Sequence, residues 1–407
     1  MRTVIRARTV FSGLRTEAFR EVAVEGGTIV ETGNGLRGDS VIDLGDRFMM
    51  PGMVDAHIHL SGSRGGGLTK EYLMTDPRLR LLRLPGWCRR LLSDGFTTVR
   101  DCGEELAIPL RDAIAEGSIT GPRVYAAGRP LSQTFGHGEF SHSIPLSWSV
   151  ERGMAEFCDG SDECMRKARL VLRSGADFIK VFATGGVLSE RDRPESPQFT
   201  PEELGAIVGE ASRAGKYVAA HAHGDQGALN AVLAGVKSIE HGTLLSERTL
   251  AIMKERDVSL TPTLSIQQLI WKHGKEIGID TWGLEKIGEV RDGIIRVLPL
   301  AHRMGINILC GTDLGMETGR EIDIGRNHME LVLMHELCGL PNDYILRAAT
   351  YNARALGIRG GLIAPGEPAD IIAVDGSPLT RIGDIERVSF VMKGGSVLVD
   401  KERGVAL

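Results

Sequence analysis

Residues 51–60 read PGMVDAHIHL, an apolar run whose end carries two histidines one residue apart, His57 and His59. In a β-strand, side chains at i and i+2 point to the same face and lie roughly 6.6 Å apart, at about 3.3 Å per residue. Two imidazoles placed in this way can bind one metal ion. The stretch therefore predicts a strand with metal ligands at its carboxyl end. The alternative is a pair of structural histidines.

Seven more apolar runs follow, and segments with helical patterns separate them. Including the first, the runs cover residues 53–60, 97–101, 123–127, 178–183, 217–223, 238–241, 259–264 and 307–313. One intervening helix has a clear start, because Thr200 can act as N-cap, Pro201 suits the first position and Glu203 completes a capping box. Eight strands that alternate with helices predict an α/β fold of the TIM type, a (β/α)8 barrel. An open doubly wound sheet is the alternative.

The two ends of the chain share a different pattern of short β-type runs separated by glycines. Such runs occupy residues 3–30 and return only near the carboxyl end, between residues 370 and 399. We expect them to form one small β-sandwich module from both termini. The predicted division is residues 1–51 and 360–407 for this module and 52–359 for the barrel.

The composition is that of an ordinary globular protein and argues against several partners. The 407 residues include 48 Lys and Arg against 53 Asp and Glu, which leaves no basic excess for a phosphate backbone, so we expect no nucleic-acid partner. The six cysteines form no C-x-x-C pair and are expected to be buried, reduced thiols. No stretch is long enough to span a membrane and the first residues lack an apolar h-region. We therefore expect no membrane partner and a cytoplasmic location.

The fourth run contains a lysine, Lys180, within the apolar sequence FIKVF of residues 178–182. An unpaired ammonium group is unfavourable in a buried strand, so this lysine needs a compensating interaction. A deprotonated lysine can react with carbon dioxide to give a carbamate, an anionic oxygen ligand able to bridge two cations. The alternative is an unmodified lysine with an acidic partner.

Three further runs also end in groups that bind metals or move protons. The fifth ends in His221 and His223, the sixth in His241, and the eighth in Asp313. Because barrel enzymes carry their chemistry at the carboxyl ends of the strands, these side chains are expected to meet at one site. The mixture of imidazoles, a possible carbamate and a carboxylate favours two zinc-like cations that activate water, with Asp313 as general base. No serine or cysteine nucleophile signature is present.

The motifs resemble those of the amidohydrolase superfamily, in particular its branch of imidazolonepropionase-like and Xaa-Pro dipeptidase-like proteins. The resemblance spans nearly the whole chain. It is carried by PGMVDAHIH at residues 51–59, IKVFATGG at 179–186, AHAHG at 220–224, SIEHG at 238–242, GTD at 311–313 and GLIAPGEPAD at 361–370. The last segment resembles the return of the chain into the family's N-terminal β-module.

The resemblance implies roles for the individual residues. It implies that one metal binds His57, His59 and Asp313, that carboxylated Lys180 bridges, and that the second metal binds His221 and His241. Asp313 would pass a proton from the attacking water to the leaving amine.

Two more histidines are assigned to the substrate by the same resemblance. His137 resembles a histidine in the family's loop after strand three. His223 stands where relatives often have tyrosine, a departure that leaves the substrate open. We expect both to bind a carboxylate or carbonyl group of the substrate.

The leading hypothesis is therefore a metal-dependent hydrolase that cleaves the amide bond of a dipeptide or an N-acyl amino acid. A cyclic amidase, lactonase or organophosphate-type esterase could use the same metals, and a non-catalytic barrel scaffold is a third possibility. The resemblance also suggests a homo-oligomer. Roles for His142, Arg191 and Arg193 stay open. The histidines on helical patterns are interpreted as structural: His273, His302, His328 and His335.

Overall fold

The computed structural model describes residues 1–65, 67–139 and 141–407, and for Leu68 it describes the backbone alone. Its strands are β1 Arg2–Arg6, β2 Thr9–Val10, β3 Glu21–Glu25, β4 Thr28–Gly33, β5 Ser40–Asp43, β6 Phe48–Pro51, β7 Met53–Arg64, β8 Phe96–Asp101, β9 Arg123–Ala126, β10 Leu131–Ser132, β11 Glu156–Phe157, β12 Ile179–Phe182, β13 Val218–Gly224, β14 Ser238–Leu244, β15 Ser259–Thr261, β16 Leu314–Glu317, β17 Ile371–Val374, β18 Val388–Lys393 and β19 Ser396–Asp400.

Helices occupy most of the segments between the central strands. They are α1 Leu68–Met74, α2 Pro77–Ser93, α3 Ala107–Ala115, α4 Leu146–Arg152, α5 Ser161–Arg173, α6 Pro201–Arg213, α7 Asp225–Ala234, α8 Glu247–Glu255, α9 Leu264–Ile277, α10 Thr281–Arg303, α11 Met329–Glu336 and α12 Asn342–Ala348. The capping box predicted at the start of α6 is confirmed, since the Glu203 amide donates to Thr200 Oγ1 and the Thr200 amide donates to Glu203 Oε2.

The central strands form two parallel sheets that together make up a barrel. One sheet has the order β16-β7-β8-β9, and the other has the order β11-β10-β12-β13-β14-β15. Strands that are neighbours in the chain are neighbours in space, and helices lie between them, as in a (β/α)8 barrel. The apolar core runs from the strands into the surrounding helices, where residues such as Trp87, Leu204 and Ile294 are fully buried.

Two irregular segments connect these sheets and close the ring. The third barrel strand is split, with β9 pairing with β8, and β10 pairing with β12 through Leu131 and Val181. Residues 307–313 lie between β15 and β7, because the Leu309 amide donates to Leu260 O at 2.9 Å and the Ala56 amide donates to Cys310 O at 2.7 Å. The predicted barrel is confirmed, although its third and eighth strands are less regular than the sequence patterns indicate.

The eighth strand is irregular where it carries Asp313. The amides of Thr312 and Asp313 both donate to the carbonyl of His57, and Asp313 has a left-handed backbone with φ of 56°. A left-handed conformation is unfavourable for most residues other than glycine, and residues held in such a conformation tend to cluster at functional sites. The ladder resumes with β16, which pairs with the far end of β7.

Strands from both chain ends form two further sheets, with the orders β4-β3-β1-β5 and β19-β18-β17-β6-β2. In the second sheet, β17 pairs antiparallel with β6 from the other end of the chain. Both sheets contribute to one apolar cluster, which includes Ile5, Val22, Met49, Ile371 and Phe390. The division of the chain at residues 51/52 and 359/360 stays a prediction.

The six cysteines are all buried and free, as predicted. Among the described residues, no helix is both long and apolar enough to cross a bilayer.

Candidate active site

One cavity opens at the carboxyl ends of the barrel strands. It brings together every residue that the sequence assigned to the site. They are His57, His59, His137, Lys180, His221, His223, His241 and Asp313. His142 lies apart from this group, with its Nε2 atom 3.3 Å from Glu139 Oε2.

The carboxylate of Asp313 lies within 4.0 Å of three imidazoles. Its Oδ1 atom is 2.9 Å from His59 Nε2 and 3.2 Å from His57 Nε2, and its Oδ2 atom is 4.0 Å from His241 Nδ1. Burial opposes ionisation of this carboxyl, but the neighbouring His57 and His59 hold its pKa well below the usual range. The group is therefore an anion that can accept a proton or bind a cation.

His57 is held in one orientation by charged groups beneath it. Its Nδ1–H donates to Glu240 Oε2 at 2.8 Å, and both Glu240 oxygens accept from Arg100 Nη2, at 2.8 and 2.7 Å. All three side chains are completely buried. A carboxylate only accepts hydrogen bonds, so Nδ1 carries a proton, and in the neutral imidazole Nε2, which lies 3.2 Å from Asp313 Oδ1, carries the lone pair.

Arg100 and Glu240 were not predicted from the sequence to be parts of the site. The sequence feature that could have revealed them is a charged residue inside an apolar run, Arg100 in residues 97–101 and Glu240 in residues 238–241. Such residues are almost never fully buried unless they are paired.

Two more histidines present lone pairs to the cavity for the same reason. His59 Nδ1–H donates to Gly103 O at 3.0 Å, and His221 Nε2–H donates to Gly185 O at 3.1 Å. A carbonyl oxygen only accepts, so in the neutral rings the proton lies on the nitrogen that donates and the lone pair lies on His59 Nε2 and His221 Nδ1. Hydrogen bonds of this kind on the far nitrogen are typical of histidines that bind metals.

His223 and His241 complete a histidine cluster with His221. One nitrogen from each of the three rings lies within 4.8 Å of the others, and a nitrogen of His57, a nitrogen of His241 and a carboxylate oxygen of Asp313 are equally close to one another. Each of His223 and His241 also contacts a threonine hydroxyl, that of Thr243 at 2.9 Å and that of Thr263 at 2.7 Å. The structure thus places His223, predicted to bind substrate, directly beside two predicted metal ligands.

Lys180 is 1% exposed and lines the same cavity. Within the residues that the structure describes, no carboxylate lies within 4.0 Å of its ammonium group, so the acidic partner expected for an unmodified lysine is not observed.

The loops after the third and fourth barrel strands place His137 in the cavity wall. Its ring stacks on that of His221 with centroids 4.4 Å apart. A Cβ atom at Gly186 would lie 2.3 Å from His137 Cε1, so only glycine fits there. The backbone of the glycine-rich segment 183–186 therefore approaches the site closely at Gly186.

The rest of the cavity wall is predominantly apolar. It is formed by Tyr72, Met154, Phe182, Val187, Leu188, Ile266, Ile270, Ile287 and Met316, with Gln267 and Ser61 among the polar exceptions. Arg191 and Arg193 do not line the cavity, and each contacts a neighbouring glutamate on the surface. The four histidines interpreted as structural also lie outside it.

A buried carboxylate ties the first barrel strand to the eighth. Asp55 Oδ2 accepts from Thr312 Oγ1 and from Asn327 Nδ2, each at 2.7 Å, and Asp55 Oδ1 accepts from the His57 amide at 3.1 Å. These bonds fix the backbone on which His57 and Asp313 are carried. Asp55 therefore has a structural role next to the site, which the sequence analysis did not assign.

A second buried carboxylate, Glu330, supports the opposite wall. It accepts from the amides of Leu264 at 2.9 Å and Ser265 at 2.7 Å, the first residues of α9, next to the Thr263 that contacts His241. Burial raises the pKa of Glu330 from 4.5 to about 8. The folded protein thus keeps a proton here that the unfolded chain has already lost, and the free energy of unfolding must decrease as the pH rises from about 4.5 to about 8.

We therefore expect the urea concentration at the midpoint of unfolding to be lower near pH 9 than near pH 6. In Glu330→Gln, this difference between the two pH values should be smaller. Glu336→Gln, an exposed change in the same helix, should keep the wild-type difference. If Glu330→Gln also keeps it, Glu330 does not retain its proton as inferred.

Comparison with known proteins gives independent evidence on the family to which this chain belongs. The family model described as "Amidohydrolase family" matches residues 48–398. The ochratoxinase of Aspergillus niger is 34% identical over 376 residues, covering 86% of this chain and 75% of that protein. Two solved structures are also similar over 98% of this chain and 100% of theirs, each at 30% identity. One is a prolidase complexed with N-methylphosphonate-L-proline, with a TM-score of 0.90, and the other a Xaa-Pro dipeptidase with bound methionine, with a TM-score of 0.88.

Proposed function

The chain belongs to the amidohydrolase family and is a hydrolytic enzyme acting on carbon–nitrogen bonds, and from that premise we propose that it cleaves the amide bond of a dipeptide or an N-acyl amino acid with the help of two divalent cations. One observation carries the proposal. In a single cavity, the imidazoles of His57, His59 and His221, each hydrogen-bonded through one nitrogen, converge with the Asp313 carboxylate and a buried lysine.

This donor set fits two cations of the zinc type, which prefer imidazole and carboxylate ligands. His57, His59 and Asp313 would hold one, and His221 and His241 would hold the other. The cations would supply Lewis acidity towards the scissile carbonyl and lower the pKa of a water molecule. The close approach of His57 Nε2 and His59 Nε2 to Asp313 Oδ1, at 3.2 and 2.9 Å, supports this assignment because three atoms able to bind one cation meet there.

Lys180 would join this set as a carbamate. Its deprotonated Nζ would attack the carbon of carbon dioxide, form an N–C bond and lose one proton, which yields an anionic group with two donor oxygens. The near-complete burial of Lys180 and the lack of an acidic partner among the described residues support this modification.

Asp313 would perform the proton transfers. Its carboxylate would accept the proton of the attacking water and deliver it to the leaving nitrogen as the C–N bond breaks. Its left-handed backbone and its contacts with His57 and His59 fix the position of the oxygens. Glu240 and Arg100 would act indirectly, by keeping His57 Nε2 directed at the site.

The substrate class is inferred from two sources. The apolar cavity wall suits a substrate with a large apolar group beside the amide. The names of the relatives, an ochratoxinase, a prolidase and a Xaa-Pro dipeptidase, also favour amides that bear an amino acid. A cytoplasmic location and a homo-oligomeric state stay predictions.

The test is hydrolysis by protein loaded with zinc in the presence of bicarbonate. Dipeptides and N-acyl amino acids with apolar side chains should be cleaved, and a chelator should abolish turnover. Faster cleavage of cyclic amides, lactones or organophosphate esters would overturn the substrate assignment. If no compound of any class is hydrolysed, the catalytic proposal fails and the scaffold interpretation gains support.

A further inference from the structure

Two of the six cysteines contact each other. Cys164 Sγ lies 3.2 Å from Cys158 Sγ, and among the residues that the structure describes no other two cysteine sulfurs are hydrogen-bonded. A disulfide bond needs its sulfurs about 2.05 Å apart, so closing one here requires an approach of only about 1.2 Å. The remaining four cysteines have no such partner in the described chain.

The backbone on both sides of the pair is held by hydrogen bonds. The Cys158 amide donates to Ser132 O in β10 at 3.0 Å, and the Cys164 amide donates to Gly160 O at 3.0 Å in the first turn of α5. Gly160 lies between the two cysteines and has a φ of 78°, a conformation that favours glycine. The fold has therefore already brought the two side chains together, so a bond between them costs no further loop-closure entropy.

Neither thiol takes part in the candidate active site. Cys158 and Cys164 do not line the cavity, and they belong to none of the described groups of side chains that could hold a metal ion. Both side chains are buried, and the contact with Cys164 together with burial raises the pKa of the Cys158 thiol. A protonated, buried thiol reacts slowly, so an oxidant has to be small and has to act during local opening of this segment.

We propose that Cys158 and Cys164 form a modification site, at which hydrogen peroxide closes a reversible disulfide bond. One sulfur attacks the peroxide, the O–O bond breaks, and the sulfur becomes a sulfenic acid while the other oxygen leaves as water. The second sulfur then attacks the first, the S–S bond forms, and the S–O bond breaks to release a second water. The two thiols lose two electrons in total and the peroxide gains them. This inference does not depend on the proposed amide hydrolysis.

The test is a map of free thiols in the folded, fully reduced protein after prolonged exposure to hydrogen peroxide. Trypsin releases both cysteines in one peptide, residues 153–166, because no lysine or arginine lies between them. Alkylation in denaturant, followed by mass spectrometry, should find no label on this peptide and a label on each of the other four cysteines. Dithiothreitol added before alkylation should restore two labels to the peptide.

Cys338 is the internal control, because it is the most exposed of the six cysteines, at 8%, and does not contact either member of the pair. It should keep its label, and Cys338→Ser should leave closure of the pair unchanged. In Cys164→Ser, no disulfide within the chain should be detected. If that variant does not fold, the map of the wild type decides the outcome by itself.

Two results would overturn the proposal. The first is full labelling of residues 153–166 in the peroxide-treated wild type. The second is a disulfide that joins Cys158 or Cys164 to one of the other four cysteines, since the contact in the folded protein would then not select the partner.

The bond should also stabilise the fold beside the loop after the third barrel strand. Asp159, next to Cys158, accepts from the Thr134 amide at 3.0 Å and from Thr134 Oγ1 at 2.7 Å. Because a cross-link restricts the unfolded chain, the urea concentration at the midpoint of unfolding should fall when dithiothreitol reopens the bond in the oxidised protein. A midpoint that rises on reduction would overturn this stabilising role.

Discussion

Replacing Asp313 by asparagine should lower kcat for amide hydrolysis by about 10³-fold or more, because the amide cannot accept the proton of the attacking water. The change keeps the size of the side chain, and asparagine tolerates the left-handed backbone at this position, where φ is 56°. The effect should therefore be on catalysis rather than folding. Steady-state kinetics with an N-acyl amino acid, together with circular dichroism of the folded state, would measure both.

Asp257→Asn is the matched control for this variant. Asp257 has nearly the same backbone conformation, with φ of 53°, but it is exposed and does not line the cavity. The control should keep wild-type kcat. If Asp313→Asn retains more than about a tenth of wild-type kcat, another group must serve as the general base.

The second large effect is expected on stability. Arg100→Met removes the only guanidinium that pairs with Glu240 among the described residues and leaves a carboxylate with no compensating cation in a fully buried position. Breaking one side of a buried ion pair lowers the free energy of unfolding by about 3–5 kcal/mol. Urea unfolding followed by circular dichroism should show this loss.

The double variant Arg100→Met/Glu240→Gln should regain much of the lost stability, because no unpaired buried charge remains. Arg6→Met removes an exposed pair with Asp43 and should leave the urea midpoint almost unchanged. If Arg100→Met behaves like Arg6→Met, the inferred charge network beneath His57 is wrong.

Much of the site followed from the sequence because strand ends are easy to locate. The two histidines of residues 57–59 and the pair at 221–223 alternate within their strands, and the barrel brings the ends of all strands to one rim. All eight predicted site residues accordingly line one cavity. Their position in the chain was enough to group them.

The contacts beneath and beside the site could not be predicted, because they depend on which side chains meet across the barrel. Glu240 contacts His57 from a position 183 residues away, and Ser189 contacts His137 across 52 residues. No local periodicity encodes such pairs.

The interruptions of the third and eighth barrel strands could not be predicted from the apolar runs either. Residues 127–130 interrupt the third strand, where Gly128 is left-handed and Pro130 cannot donate to a ladder. The turn at Asp313 interrupts the eighth strand, where two successive amides share one carbonyl of His57. Such local distortions depend on tertiary contacts that an apolar run does not reveal.

The proposed binding of two cations, for which modified Lys180 would supply a ligand to both, is tested most directly by metal content. Protein produced with added zinc and bicarbonate should contain about two metal ions per chain by elemental analysis, and Lys180→Ala should lose most of them, since the bridging ligand is gone. One ion per chain, unaffected by Lys180→Ala, would contradict the bridged pair and leave a mononuclear site.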